Sequence, residues 1–200
     1  MIIGTPKEIK NNEFRVGLNT ASVMALTNQG HRVLLETRAG MGSGMSDEDY
    51  IGAGAIIVAS AEEVYAQADM IVKVKEPQAV ERAMLQPHHI LFTYLHLAAD
   101  KSQTDELLDS KATCIAYETI QEGRQLPLLT PMSEVAGRLA TQQGAKYLEN
   151  AFGGAGVLMG GVPGTPPAEV LVLGGGVAGT QAALVAAGMG ANVMILDTNL

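Results

Sequence analysis

Three side chains early in the sequence have the chemistry to hold a small carboxylate and move a proton. Arg15 lies in the apolar run FRVGL, residues 14–18, which reads as a short strand. A guanidinium there suits bidentate capture of a carboxylate, although a surface arginine at a strand edge has the same signature. Lys73 and Lys75 stand two apart in IVKVKEP, so in a strand they share a face. Lys75 falls at the strand's carboxyl end, where α/β sites collect, and an ammonium there can hold a carboxylate or carbonyl oxygen; a solvated strand end reads the same way. His96 closes ILFTYLH and precedes a loop. A histidine at the end of a parallel strand can act as general acid/base near neutral pH. His31, His88 and His89 read as turn or strand-start residues, no pair has ligand spacing, and no metal is expected.

A second kind of chemistry lies near the end of the sequence. Residues 170–197 read VLVLGGGVAGTQAALVAAGMGANVMILD. The apolar run Val170 to Leu173 predicts a strand, Gly174, Gly176 and Gly179 have G-x-G-x-x-G spacing, residues 180–188 predict a helix, and Asn192 to Leu196 predicts a second strand ending on Asp197. Gly174 permits the turn, Gly176 lets a pyrophosphate approach the backbone, and Gly179 lets helix and strand pack closely. The phosphates would meet the free N–H groups at the helix start. Asp197 would accept from a ribose diol, which favours NAD over NADP. The uncharged stretch 170–196 is also long enough to span a bilayer, but its six glycines argue against a membrane helix.

The elements that must position these groups follow one rhythm. Apolar runs at residues 2–4, 31–37, 55–59, 70–75, 90–95 and 112–117 alternate with helical segments at 20–28, 47–52, 60–68 and 101–108, and a turn or short helix spans 77–85. Ser46 before Asp47, Glu48 and Asp49 reads as an N-cap, and Ser60 with Glu63 as a capping box. This rhythm predicts parallel strands joined by crossovers. The fold class is therefore α/β: a Rossmann-like parallel-sheet domain over 1–128, an interdomain helix over 129–150 with Thr130 as N-cap and Pro131 at its first position, and the start of a Rossmann NAD-binding domain over 151–200. That last domain is incomplete as a dinucleotide fold, so the sequence reads as the N-terminal part of a longer protein.

Composition excludes several alternatives. The net charge is −8 with pI near 4.9, and no basic run exists, so nucleic acid is not expected as a partner. The single cysteine, Cys114, permits no internal disulfide and reads as a structural thiol in an apolar run. The start, MIIGTPKEIKNN, has no apolar signal core. A soluble cytoplasmic protein without a membrane partner is expected.

Taken together, GTPKEIKNNEFRV, VKVKEP, LFTYLHLAAD, IAYET, LPLLTPMSEVAGR, GVLMGGVPG and the glycine turn occur in an order that resembles the bacterial alanine dehydrogenases, a family shared with the nicotinamide nucleotide transhydrogenases. The resemblance implies reversible oxidative deamination of L-alanine to pyruvate and ammonia with NAD. It implies that Arg15 and Lys75 bind the substrate, that His96 is the catalytic acid/base, that Ser133 contacts the cofactor, that Val177 and Ala178 give backbone contacts in the glycine turn, and that Asp197 is the ribose acid. It also implies a homohexamer. Leu18-Asn19-Thr20-Ala21 departs from the family's usual Leu-Thr-Pro-Ala. Family members run to nearly twice this length and carry a second catalytic aspartate beyond Leu200, so the 200-residue piece by itself is expected to be inactive. The competing readings are a transhydrogenase nucleotide-binding subunit, which lacks TYLHLA with its histidine, and an inactive truncated binding module.

Overall fold

The structure, a computed structural model, describes residues 1–198. The chain divides into two compact units, Met1–Thr119 and Ile120–Leu200.

The first unit holds six strands: β1 (Ile2–Thr5), β2 (Arg32–Glu36), β3 (Ile56–Val58), β4 (Met70–Val72), β5 (Ile90–Thr93) and β6 (Thr113–Ala116). All pair in parallel, in the order β3-β2-β1-β4-β5-β6. Helices α1 (Thr20–Asn28), α2 (Asp47–Gly52), α3 (Ala61–Gln67), α4 (Ala79–Arg82) and α5 (Lys101–Ser110) make the crossovers. The run Val33-Leu34-Leu35 shows why β2 carries no polar face. Val33 and Leu35 pack with Val23 and Tyr50 on one side of the sheet, and Leu34 packs with Val64, Ile71 and Leu91 on the other. Side chains alternate across a strand, and helices on both faces make every position a core position.

Side-chain caps fix the helix starts. Asn19 accepts from the Ser22 N–H, Asp100 from the Gln103 N–H, and Ser46 with Asp49 forms a reciprocal box. At α3 the box is only half made: Ser60 accepts from the Glu63 N–H, but the Glu63 carboxylate reaches the Ala59 N–H. Two expectations are corrected here. Residues 14–18 form no strand, so Arg15 sits in an open loop between β1 and α1. β4 ends at Val72, so Lys73 and Lys75 follow it and share no strand face.

In the second unit, α6 (Thr130–Tyr147) is followed by β7 (Glu169–Leu173), α7 (Val177–Gly188) and β8 (Asn192–Leu196). β7 and β8 pair in parallel from Glu169 opposite Asn192 to Leu173 opposite Leu196. Thr130 is not the cap of α6. It is already helical, and its hydroxyl donates to the Leu126 carbonyl at 3.1 Å, while Pro131 occupies the first turn. α7 begins at Val177, three residues before the sequence-predicted start, because Gly176 is its N-cap. The helices pack closely: Thr141 donates to the Ala182 carbonyl at 2.7 Å, and Arg138 to Gln181 at 3.0 Å. Among the described residues no helix is long and apolar enough to cross a membrane.

Candidate active site

The strand order reverses between β1 and β4. In open parallel sheets, the crevice beyond the carboxyl ends of two such strands is where ligands bind. Arg15 lies on the loop after β1, Lys75 just after β4, and His96 just after β5. Three residues far apart in sequence therefore come to one end of one sheet.

Arg15 meets Glu13. The guanidinium donates through Nε at 2.8 Å and through Nη2 at 2.6 Å, and the Arg15 N–H donates to the same carboxylate at 2.9 Å. The hydrogen bond with Arg15 holds the Glu13 carboxyl down at about 2, with help from the charge of Lys75. Lys75 thus lies within electrostatic reach of the Arg15–Glu13 pair. Arg15 and Glu13 also line a cavity of about 300 Å³ with Lys7, Glu8 and Arg38.

Lys73 is the cation that the crevice does not use. It is fully buried, with Nζ 3.1 Å from Glu8 and 2.7 Å from Glu81. Among the described residues no acid lies within ion-pair distance of Lys75. The backbone of Lys75 is held by Glu8, which accepts its N–H at 3.3 Å, and by Thr93, which donates to its carbonyl at 2.9 Å.

His96 adopts a left-handed backbone, φ 51° and ψ 40°. Such a conformation is uncommon outside glycine and persists where neighbours enforce it. Glu118 is the enforcer: its carboxylate accepts the His96 N–H at 2.7 Å and the Leu95 N–H at 3.1 Å. The half-exposed imidazole points Nδ1 toward Glu76 at 3.5 Å, and its ring lies 6.3 Å from that of Tyr94. The charge of Arg15 acts on the Tyr94 hydroxyl, against the upward push of burial. His96 and Glu118 also line a cavity of about 400 Å³ with Leu97 and Thr119. Glu118 and Glu13 are residues that sequence reasoning did not single out. The available signal was an acid at the end of an apolar run, in IAYET, and an acid two residues before the arginine.

The second unit contains the glycine turn. Gly174 has φ 100°, a conformation open to glycine at little cost. A Cβ on Gly179 would collide with the Gly174 carbonyl and approach Val172 at 3.2 Å, so only glycine lets α7 start this close to β7. A Cβ on Gly176 would meet nothing within 4 Å, and the N–H groups of Val177 and Ala178 open α7 beside that free space. Asp197 accepts the Gly175 N–H at 2.5 Å. Ser133 and Val177 line one cavity of about 370 Å³ with Arg124, Leu126 and Thr130. A turn with open backbone, a helix N-terminus and an acid at the second strand's end fits a dinucleotide. Among the described residues no group of side chains is arranged to hold a metal ion.

Residues 4–136 match the family description "Alanine dehydrogenase/PNT, N-terminal domain", and residues 140–200 match "Alanine dehydrogenase/PNT, C-terminal domain". The chain is 58% identical over its whole length to an alanine dehydrogenase of Methanococcus maripaludis, of which it covers 54%. It superposes on a solved L-alanine dehydrogenase with TM-score 0.93 at 55% identity, covering all of this chain and 55% of that one. A transhydrogenase from Sinorhizobium meliloti is a more distant neighbour, at TM-score 0.82 and 29% identity over all of this chain and 59% of that one. The chain spans about half the length of the curated relatives it matches. With residues 4–136 and 140–200 matched by the two family domains and the whole chain covered at more than 50% identity, the chain belongs to the alanine dehydrogenase/PNT family.

Proposed function

We propose that the full-length protein containing this chain interconverts L-alanine with pyruvate and ammonia, using NAD. The observation that carries the reading is the gathering of Arg15, Lys75 and His96 beyond the carboxyl ends of β1, β4 and β5. The identity to alanine dehydrogenases, 58% against 29% for the transhydrogenase, supports it over the alternative.

In this reading, Arg15 and Lys75 bind the substrate carboxylate. Glu13 occupies the Nε and Nη2 edge of the guanidinium, so a substrate carboxylate meets its remaining N–H groups. Fixing the substrate between two cations sets the Cα and nitrogen in place, and positioning of this kind supplies several kcal/mol of the barrier reduction. His96, with Nδ1 turned to Glu76, exchanges a proton with the substrate amine or the attacking water through Nε2. The hydride chemistry is supplied by the nicotinamide cofactor when bound. Ser133, Gly174, Gly176, Val177, Ala178, Gly179 and Asp197 are assigned to hold that cofactor. The resemblance supports a homohexamer, and the lone cysteine a cytoplasmic location.

The test is alanine-dependent NADH formation by the full-length protein. The His96→Ala variant should lose about 10²- to 10⁴-fold in kcat, the range of a general acid/base. Reduction of NADP by NADH without any alanine-dependent turnover would replace this reading with the transhydrogenase one.

A further inference from the structure

The buried cluster of Glu8, Lys73 and Glu81 has no part in the chemistry above. Lys73 is fully buried between two carboxylates that are themselves almost wholly buried. Burying ions is costly, and an apolar trio of similar volume stabilises a core at least as well. What an apolar trio cannot do is accept backbone hydrogen bonds, and the cluster sits where the backbone needs an acceptor.

That need arises from the strand order. β1 pairs with β4 only through Ile3 opposite Met70 and Gly4 opposite Ile71. Beyond Thr5 the two chains part to open the crevice. On the other side, the segment after β4 stays tied to β5 and its extension: the Lys73 N–H donates to the Phe92 carbonyl at 3.1 Å and the Tyr94 N–H to the Val74 carbonyl at 3.3 Å. On the β1 side, the ladder has ended. Buried N–H groups must find a partner. One oxygen of Glu8 takes the Val74 N–H at 2.6 Å and the Lys75 N–H at 3.3 Å. Its other oxygen is held by Lys73 at 3.1 Å, and Glu81 holds Lys73 from behind. The Glu81 carboxylate is itself fixed, accepting the Gln78 N–H at 2.7 Å.

We infer that Glu8 is a positioning residue for the carboxylate pocket: its side chain replaces the missing ladder between β1 and β4, and so sets the Lys75 segment against the loop that bears Arg15. Lys73 and Glu81 aim that carboxylate and touch no substrate. The consequence is selective. Loss of Glu8 weakens capture of the substrate carboxylate and leaves the nucleotide turn at residues 174–179 unaffected.

This inference rests on the reading of the crevice as the pyruvate and alanine site. The test is made on the full-length protein with Glu8→Ala and Glu8→Gln, following pyruvate binding by calorimetry, NADH binding by fluorescence, and turnover. Glu8→Ala should weaken pyruvate binding at least tenfold, with NADH affinity within twofold of wild type. Glu8→Gln, which retains one oxygen for the Val74 N–H, should lose less. A folded Glu8→Ala protein with unchanged pyruvate affinity, or with both affinities reduced together, would overturn the inference. If Glu8→Ala does not fold, Glu8→Gln decides: a loss of pyruvate affinity beyond twofold with NADH binding retained supports the role, and no such selective loss ends it. A wild-type protein that binds pyruvate but forms no NADH from alanine removes the proposed reaction and leaves the Glu8 test intact. One that binds no pyruvate removes both.

Discussion

The role proposed for His96 rests on a backbone that few side chains adopt, and the Glu118 carboxylate, in the turn just after β6, holds it there. Removing that carboxylate leaves the Leu95 and His96 N–H groups without their acceptor, at a cost of about 1–3 kcal/mol. Glu118→Ala should therefore lower both the thermal midpoint and kcat, the latter by tenfold or more, and Glu118→Gln should recover part of each; melting curves and initial rates on the same preparations check this. His89 makes a second residue-scale prediction. It is fully buried, its Nδ1 accepts the Gln86 N–H at 2.9 Å, and its Nε2 lies 2.9 Å from the Tyr65 carbonyl, so the ring is held neutral with its proton on Nε2. Burial pushes its pKa down. The unfolded chain, with a histidine near 6.5, takes up the proton first as pH falls. The contribution of His89 to stability is thus complete above about pH 6.5 and is lost below it. The thermal midpoint should fall across that interval, and His89→Gln should flatten the fall.

Residue type drew attention to Arg15, Lys75 and His96 in the sequence, and the fold brings all three to one end of the sheet. Glu8, Glu13 and Glu118, which hold the segments bearing them, did not stand out in the sequence. Each acts by accepting from a particular N–H or guanidinium, and the direction of those donors exists only once the chain has folded.

Among the elements, the strands of the first sheet and their parallel direction were legible, and their order and ends were not. The runs at 70–75 and 90–95 continue past β4 and β5 because the residues after each strand still face a packed interior, with Val74, Tyr94 and Leu95 buried. The βαβ unit at residues 169–196 was the most legible, because the glycines report geometry directly. Gly179 is the sharpest test of that element. Gly179→Ala places a methyl against the Gly174 carbonyl, and relieving such overpacking costs about 1–3 kcal/mol. The helix start should shift away from β7, and NADH affinity should fall by tenfold or more while the far-ultraviolet spectrum stays close to wild type; fluorescence titration checks it.

For the whole molecule, the two units differ in how far they complete a core. Residues 1–119 close a six-stranded sheet with helices on both faces, burying Leu34, Ile71, Leu91 and Tyr50 almost entirely. The second unit has a two-stranded sheet, in which Leu171, Leu173, Met194 and Leu196 are each more than half exposed. An oily strip of this kind is unusual on a solitary soluble protein. Handled as 200 residues, the native chain should therefore brighten a solvatochromic dye such as anilinonaphthalene sulfonate without any denaturant. Turning Leu173 and Met194 into threonines should quench that glow, whereas a dark wild-type sample would mean the strip is hidden.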